Sequence, residues 1–309
     1  MKVSQTPQTN PVKTTDALPV LAMVVLLLAV DGAAMLVAGP FKAAGAVAFE
    51  NPDDPWNIVY FFLVLLPFTV LILLIAKFWK KKAIQTIVLA ATGVLDVYVF
   101  YPLLAMVLPS MWLTLSIAVA ASAVLLTLLV KKPEWYIVNA SAVLSAIGAT
   151  AMLGVSLNPL VTVALLIAMS VYDALSVYKT KHMIDLADTL VDLKLPIVFV
   201  VPKKRGYSLR RETKTLKQKL KEGEEREAFF LGVGDAVIPG TLTVSAFHTL
   251  AGNTLPIALS TLAGTLGGFA ALMLLVMKGK PQAGLPFLCT GAIIGYAVSS
   301  LWLHGTLIA

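Results

Sequence analysis

Residues 136–178 read YIVNASAVLSAIGATAMLGVSLNPLVTVALLIAMSVYDALSVY. These 43 residues hold one charged side chain, Asp173, and one interruption, Leu157-Asn158-Pro159. A helix crossing about 30 Å of hydrocarbon needs around 20 mostly apolar residues. The run is therefore two spans joined by a tight corner. The rest of the chain repeats this pattern: of 309 residues, 58% are hydrophobic and 13% charged, where soluble domains carry roughly 25% charged residues. Nine stretches qualify as spans, at about 18–40, 57–77, 84–108, 110–130, 136–157, 159–178, 228–250, 254–277 and 283–305. The sequence predicts an all-α polytopic membrane protein with nine transmembrane helices.

The basic residues orient the bundle. Of 24 Lys and Arg, 23 fall on alternate sides of the spans, thirteen of them between positions 179 and 226. Only Lys42 lies opposite, in a first loop that also carries Glu50, Asp53 and Asp54. By the positive-inside tendency the N-terminus is cytoplasmic and the C-terminus external, which requires an odd number of spans. Topology thus accounts for the net charge of +7, and no nucleic-acid partner is implied. No small-residue cleavage site closes the first apolar run, so no cleaved signal peptide is expected. A single cysteine, Cys289, excludes an internal disulfide framework.

Four units follow: a polar tail (1–17), six spans (18–178), a long cytoplasmic loop (179–227) and three spans (228–309). The loop opens with KTKHMIDLADTLVDLK, where Met183, Leu186, Leu190 and Val191 recur at helical spacing. An amphipathic continuation of the sixth span is expected there. LPIVFVVPKK comes next, a β-branched run bounded by Pro196 and Pro202, which reads as a short strand. It either packs on the bundle mouth or offers an edge to an extended peptide. The charge-dense RRETKTLKQKLKEGEEREA reads as a solvated linker.

Of 17 Asp and Glu, four fall inside spans: Asp31, Asp96, Asp173 and Asp235. An ionisable group at bilayer depth costs on the order of 2.5–3.5 kcal/mol on insertion scales and marks a candidate functional site. Asp31 (AVDGAAM) and Asp96 (GVLDVYVF) stand alone on their helices and read as neutral acids hydrogen-bonded within the bundle. Asp173 lies near the cytoplasmic end of the sixth span, and Asp235 lies in LGVGDAVIPG, in the first half of the seventh. Consecutive antiparallel spans bring these two to similar depth. Gly232 and Gly234 remove bulk beside Asp235, so another helix is expected to approach closely. Two close carboxyls share one proton. One then takes a proton from water attacking a peptide carbonyl while the other protonates the carbonyl oxygen. His182, His248 and His304 are scattered, so no metal and no other cofactor is implied. No Ser-His or Cys-His pairing stands out.

Tyr172-Asp173 in one span and Gly232-Val233-Gly234-Asp235 in the next, with a long loop between them and nine spans in all, resemble the YD and GxGD pattern of the presenilin and signal peptide peptidase family. The likeness covers nearly the whole chain. It implies an intramembrane aspartyl protease with Asp173 and Asp235 as catalytic pair, supported by Tyr172, Gly232 and Gly234. The family's Pro-Ala-Leu motif should open the ninth span. Here KPQAGLPF puts Ala283 and Gly284 where Pro and Ala are expected, while Leu285 and Pro286 match. Gly284, Leu285 and Pro286 are therefore expected in a substrate groove. LKLPIVFVVP resembles the family segment that pairs with extended substrate, which adds Ile197, Val198 and Phe199. The orientation resembles presenilin and implies single-span transmembrane protein substrates with external N-termini, cut near the cytoplasmic face of the lipid bilayer. A homo-oligomer stays open. The competing reading is a proton- or cation-coupled transporter whose acids bind the ion, although no inverted repeat is visible.

Overall fold

The computed structural model describes residues 17–78, 81–180, 195–204, 206–209, 227–250, 254–276 and 282–307. Among them are nine α-helices: α1 Ala17–Ala43, α2 Trp56–Phe78, α3 Lys81–Ala105, α4 Met111–Lys131, α5 Trp135–Ser156, α6 Pro159–Leu175, α7 Val233–His248, α8 Leu255–Val276 and α9 Leu285–His304. Seven are long and apolar enough to cross a membrane, while the apolar stretch of α2, Trp56–Leu71, and the 16-residue α7 are shorter. The polar tail to residue 16, the amphipathic run with Met183, Leu186, Leu190 and Val191, and the linker over 210–226 lie outside the described residues.

The corner at Leu157-Asn158-Pro159 shows why this chain turns where it does. Asn158 caps α6, its Oδ1 accepting from the Leu160 amide at 2.8 Å. Pro159 follows at the start of the helix, where its missing N–H costs nothing and its fixed φ suits the first turn. Asn158 Nδ2 also donates to Asp53 Oδ1 at 2.7 Å, tying the corner to the loop between α1 and α2.

The helices pack in two manners. α5 is the most buried span and carries its polar side chains inward, with Asn139, Ser141, Ser145 and Thr150 all buried. α8 and α9 instead meet through glycine. A Cβ on Gly264 would overlap the carbonyl of Gly291, one on Gly268 that of Phe287, and one on Gly295 that of Ser260. Without side chains, the two backbones touch directly.

One small sheet completes the described fold. β1 Val198–Pro202 pairs antiparallel with β2 Ala228–Gly232, in register Phe199↔Leu231 and Val201↔Phe229. The seventh span, expected as one helix over 228–250, therefore begins as a strand and turns helical only at Val233. Ala-Phe-Phe-Leu-Gly is apolar enough to extend the hydropathy of the helix, and a run this short has no period that separates strand from helix. Its backbone partner decides the matter. The Val233 amide donates to the Ile197 carbonyl at 3.0 Å, and Lys203 to Glu227 at 2.8 Å. Odd-numbered residues of β1 thus bond to β2, and Val200 faces the other way. There Asn139 of α5 accepts from the Val200 amide at 2.7 Å and donates to its carbonyl at 2.8 Å. At Val200 the outer edge of β1 is closed by a side-chain amide.

Candidate active site

Asp173 sits near the C-terminal end of α6, buried at 7% exposure. Beyond it the helix widens into a π-turn over Ser176–Thr180, a distortion frequent at functional sites. Asp235 occupies the first turn of α7, with Gly232 as N-cap. Its position is the third of the helix, from which an acid reaches back to the N-cap amide. The Gly232 amide is directed at this carboxyl.

Both acids converge on two adjacent residues at the start of α9. Asp173 Oδ2 accepts from the Leu285 amide at 3.1 Å, and the Gly284 amide also points to Asp173. Amides at a helix N-terminus are ready donors for a carboxylate, and Pro286, which has none, leaves these two to serve. On the same residue, a Cβ at Gly284 would lie 2.9 Å from Asp235 Oδ2, 3.0 Å from its Cγ and 3.1 Å from Oδ1. The structure thus brings Asp173, Asp235, Gly284 and Leu285 together.

The glycine that admits a close neighbour differs from the one the sequence suggested. A Cβ on Gly234 would meet nothing within 4 Å, and one on Gly232 would meet only the Asp235 carboxyl, at 3.3 Å for Oδ2. No helix lies against Gly234 among the described residues. The tight approach is at Gly284. Tyr172 packs its ring edge-on against Phe62 of α2, with centroids 6.3 Å apart. Pro286 opens α9 and is half-buried. Ile197 and Val198 are partly buried, Ile197 packing with Ile84 and Leu195 and Val198 with Leu129 and Val138, whereas Phe199 is fully buried and packs in the core with Met23 and Leu27.

Three contacts were not legible as site features. Tyr178, on the π-turn, donates from its hydroxyl to Gln282 Oε1 at 2.8 Å and lies 3.4 Å from the Ala283 amide, linking the end of α6 to the approach of α9. Asn139 closes the edge of β1, and its presence as an amide within an apolar span was the available signal. Gly240 meets Asp31: a Cβ there would overlap Asp31 Oδ1. Asp96 Oδ1 accepts from Ser145 Oγ at 3.4 Å, while its buried Oδ2 has no partner among the described residues. Asp31, expected likewise to be hydrogen-bonded, has no partner for its buried Oδ1 among the described residues.

A family profile described as signal-peptide peptidase, presenilin aspartyl protease matches residues 23–304. Two solved structures of a presenilin family intramembrane aspartate protease are similar over their whole length. One, in a C222 crystal form, is 28% identical with TM-score 0.65, covering 92% of this chain and 98% of its own. The other, in a P2 form, is 31% identical with TM-score 0.67, covering 93% and 99%. No curated protein matches the chain.

Proposed function

Because the chain belongs to the signal-peptide peptidase and presenilin aspartyl protease family, we propose that Asp173 and Asp235 are its catalytic pair and act on a single water. The protein is a multi-pass intramembrane aspartyl protease, so the transporter reading falls. The observation that carries the dyad is the convergence of both carboxyls on Gly284-Leu285.

The roles follow from what each carboxyl faces. Asp173 accepts from the Leu285 amide at 3.1 Å with the Gly284 amide turned toward it, an arrangement that suits a carboxylate, and it serves as the base that takes the water proton. Asp235 carries the shared proton and gives it to the oxygen of the attacked carbonyl. The tetrahedral intermediate then collapses by proton return to the leaving nitrogen.

The sheet supplies a place for the peptide. With odd residues of β1 bonded to β2, Phe230 presents its amide and carbonyl on the outer edge of β2, two residues before the N-cap of α7. An extended segment pairing there is led toward Asp235. Since the edge of β1 is taken at Val200 by Asn139, β2 rather than Ile197, Val198 and Phe199 is the docking strand. The charge distribution supports a cytoplasmic N-terminus and single-span substrates entering with theirs outside.

Purified protein incubated with a transmembrane peptide should release cut products, and Asp173→Asn or Asp235→Asn should release none. Cleavage by either variant at the parental rate overturns the dyad. Terminal tags accessible only from the opposite faces overturn the orientation.

A further inference from the structure

Five residues along α7 from Asp235, the helix meets an acid that the reaction does not use. Asp31 of α1 is buried at 2% exposure. A Cβ on Gly240 would overlap its Oδ1 and lie 3.1 Å from both its Cγ and Thr150 Cγ2 of α5. The acid is thus seated on the bare backbone of α7, with Thr150 closing the third side. Asp31 Oδ1, Thr150 Oγ1 and Thr243 Oγ1 are all buried without a hydrogen-bond partner among the described residues. Among the described residues no polar pairing holds this contact, and shape does.

A second grip lies at the far end of the same helix. His248 Nε2 donates to the Met35 carbonyl of α1 at 2.8 Å. Both contacts tie α7 to α1. The first turn of α7 is itself short of one backbone bond. Pro239 has no N–H, so the carbonyl of Asp235, four residues earlier, lacks its helical donor. Gly240 is the first residue past that missing rung.

We propose that Asp31 is a positioning residue for the protease reaction: seated on Gly240, it sets the pose of α7 and so presents Asp235 to Asp173. The proposal rests on the dyad assignment above.

Transmembrane-peptide cleavage in detergent, with kcat, KM and Tm measured for each variant, tests it. Asp31→Asn keeps the shape and should stay close to the parent. Asp31→Ala and Gly240→Ala should each lower kcat about 10- to 100-fold, the loss expected when a catalytic group is misplaced by up to about 1 Å, with KM unchanged. The double variant is decisive. With alanine at position 31 the nearest obstacle to the methyl at position 240 is gone, although Thr150 Cγ2 stays 3.1 Å away, and kcat should recover above that of Gly240→Ala alone. Losses that multiply without recovery overturn the proposal, as does parental kcat in Asp31→Ala. If Asp31→Ala does not fold, Asp31→Ser takes its place with the same expectation. The dyad reading fails separately: an active Asp173→Asn in the parent background removes it, and this proposal with it, whatever Asp31 does.

Discussion

Gly284→Ala is the sharpest single perturbation of this site. The added methyl would stand 2.9 Å from Asp235 Oδ2, where ordinary contact begins at 3.4 Å. The carboxyl must therefore retreat by about 0.5 Å to recover normal van der Waals spacing. Its atoms are the far end of a flexible side chain, so the fold yields cheaply, at a cost below about 1 kcal/mol. Catalysis is less forgiving. Misplacement by about 1 Å costs on the order of 100-fold, so half of that costs about 10-fold, or ~1.4 kcal/mol of barrier. Meanwhile Asp173 keeps its Leu285 amide, so only one member of the pair moves. The assay is cleavage of a single-span peptide in detergent, with Tm measured on the same preparation. We expect kcat to fall about 10-fold while Tm stays near the parent. Gly234→Ala is the control, since a Cβ there meets nothing within 4 Å, and it should cleave normally. Parental kcat in Gly284→Ala, or a larger loss in Gly234→Ala, would refute the reasoning.

Three further outcomes are expected. Asn139→Leu strands the buried amide and carbonyl of Val200, and at about 1–3 kcal/mol for each unsatisfied group it should lower thermal stability in detergent; an unchanged Tm would show the contact to be idle. Phe230→Pro removes an outward amide without touching the bonds from β2 to β1, so KM should rise about 2- to 10-fold, the worth of one hydrogen bond, relative to Phe230→Ala. Equal KM in the two variants would exclude strand docking on β2. Gly264→Ala forces a methyl into the Gly291 carbonyl, and the yield of folded protein should collapse; recovery at parental yield would mean that α8 and α9 separate freely.

Hydropathy made the helices legible because a bilayer imposes a length that loops do not share, and the Asn158-Pro159 corner announced itself in residue types that cap helices. The two acids were legible for the same reason, being costly wherever they sit. What stayed hidden depends on partners distant in sequence. Ala228–Gly232 became a strand through a partner 30 residues earlier at Val198–Pro202. Gly234 drew attention because it adjoins Asp235 in the chain, whereas Gly284 adjoins it in space. Gly240 and Asp31 carry no local sign of one another, since the glycine matters only once α1 and α7 lie side by side.

The seam between α8 and α9 has a consequence for genetics. Where Gly264, Gly268 and Gly295 touch their neighbour, the obstructing atom belongs to the main chain. No codon change removes a carbonyl oxygen, so a damaging allele at Gly264 has no intragenic suppressor at position 291, already glycine, and revertants must arise at the mutated codon itself. An allele at Gly240 differs, because its obstacle is the Asp31 side chain and a second mutation can delete it. Phe287, whose carbonyl bounds Gly268, lies three residues past Gly284. The stretch of chain least open to compensation therefore stands directly beneath the amides that hold Asp173.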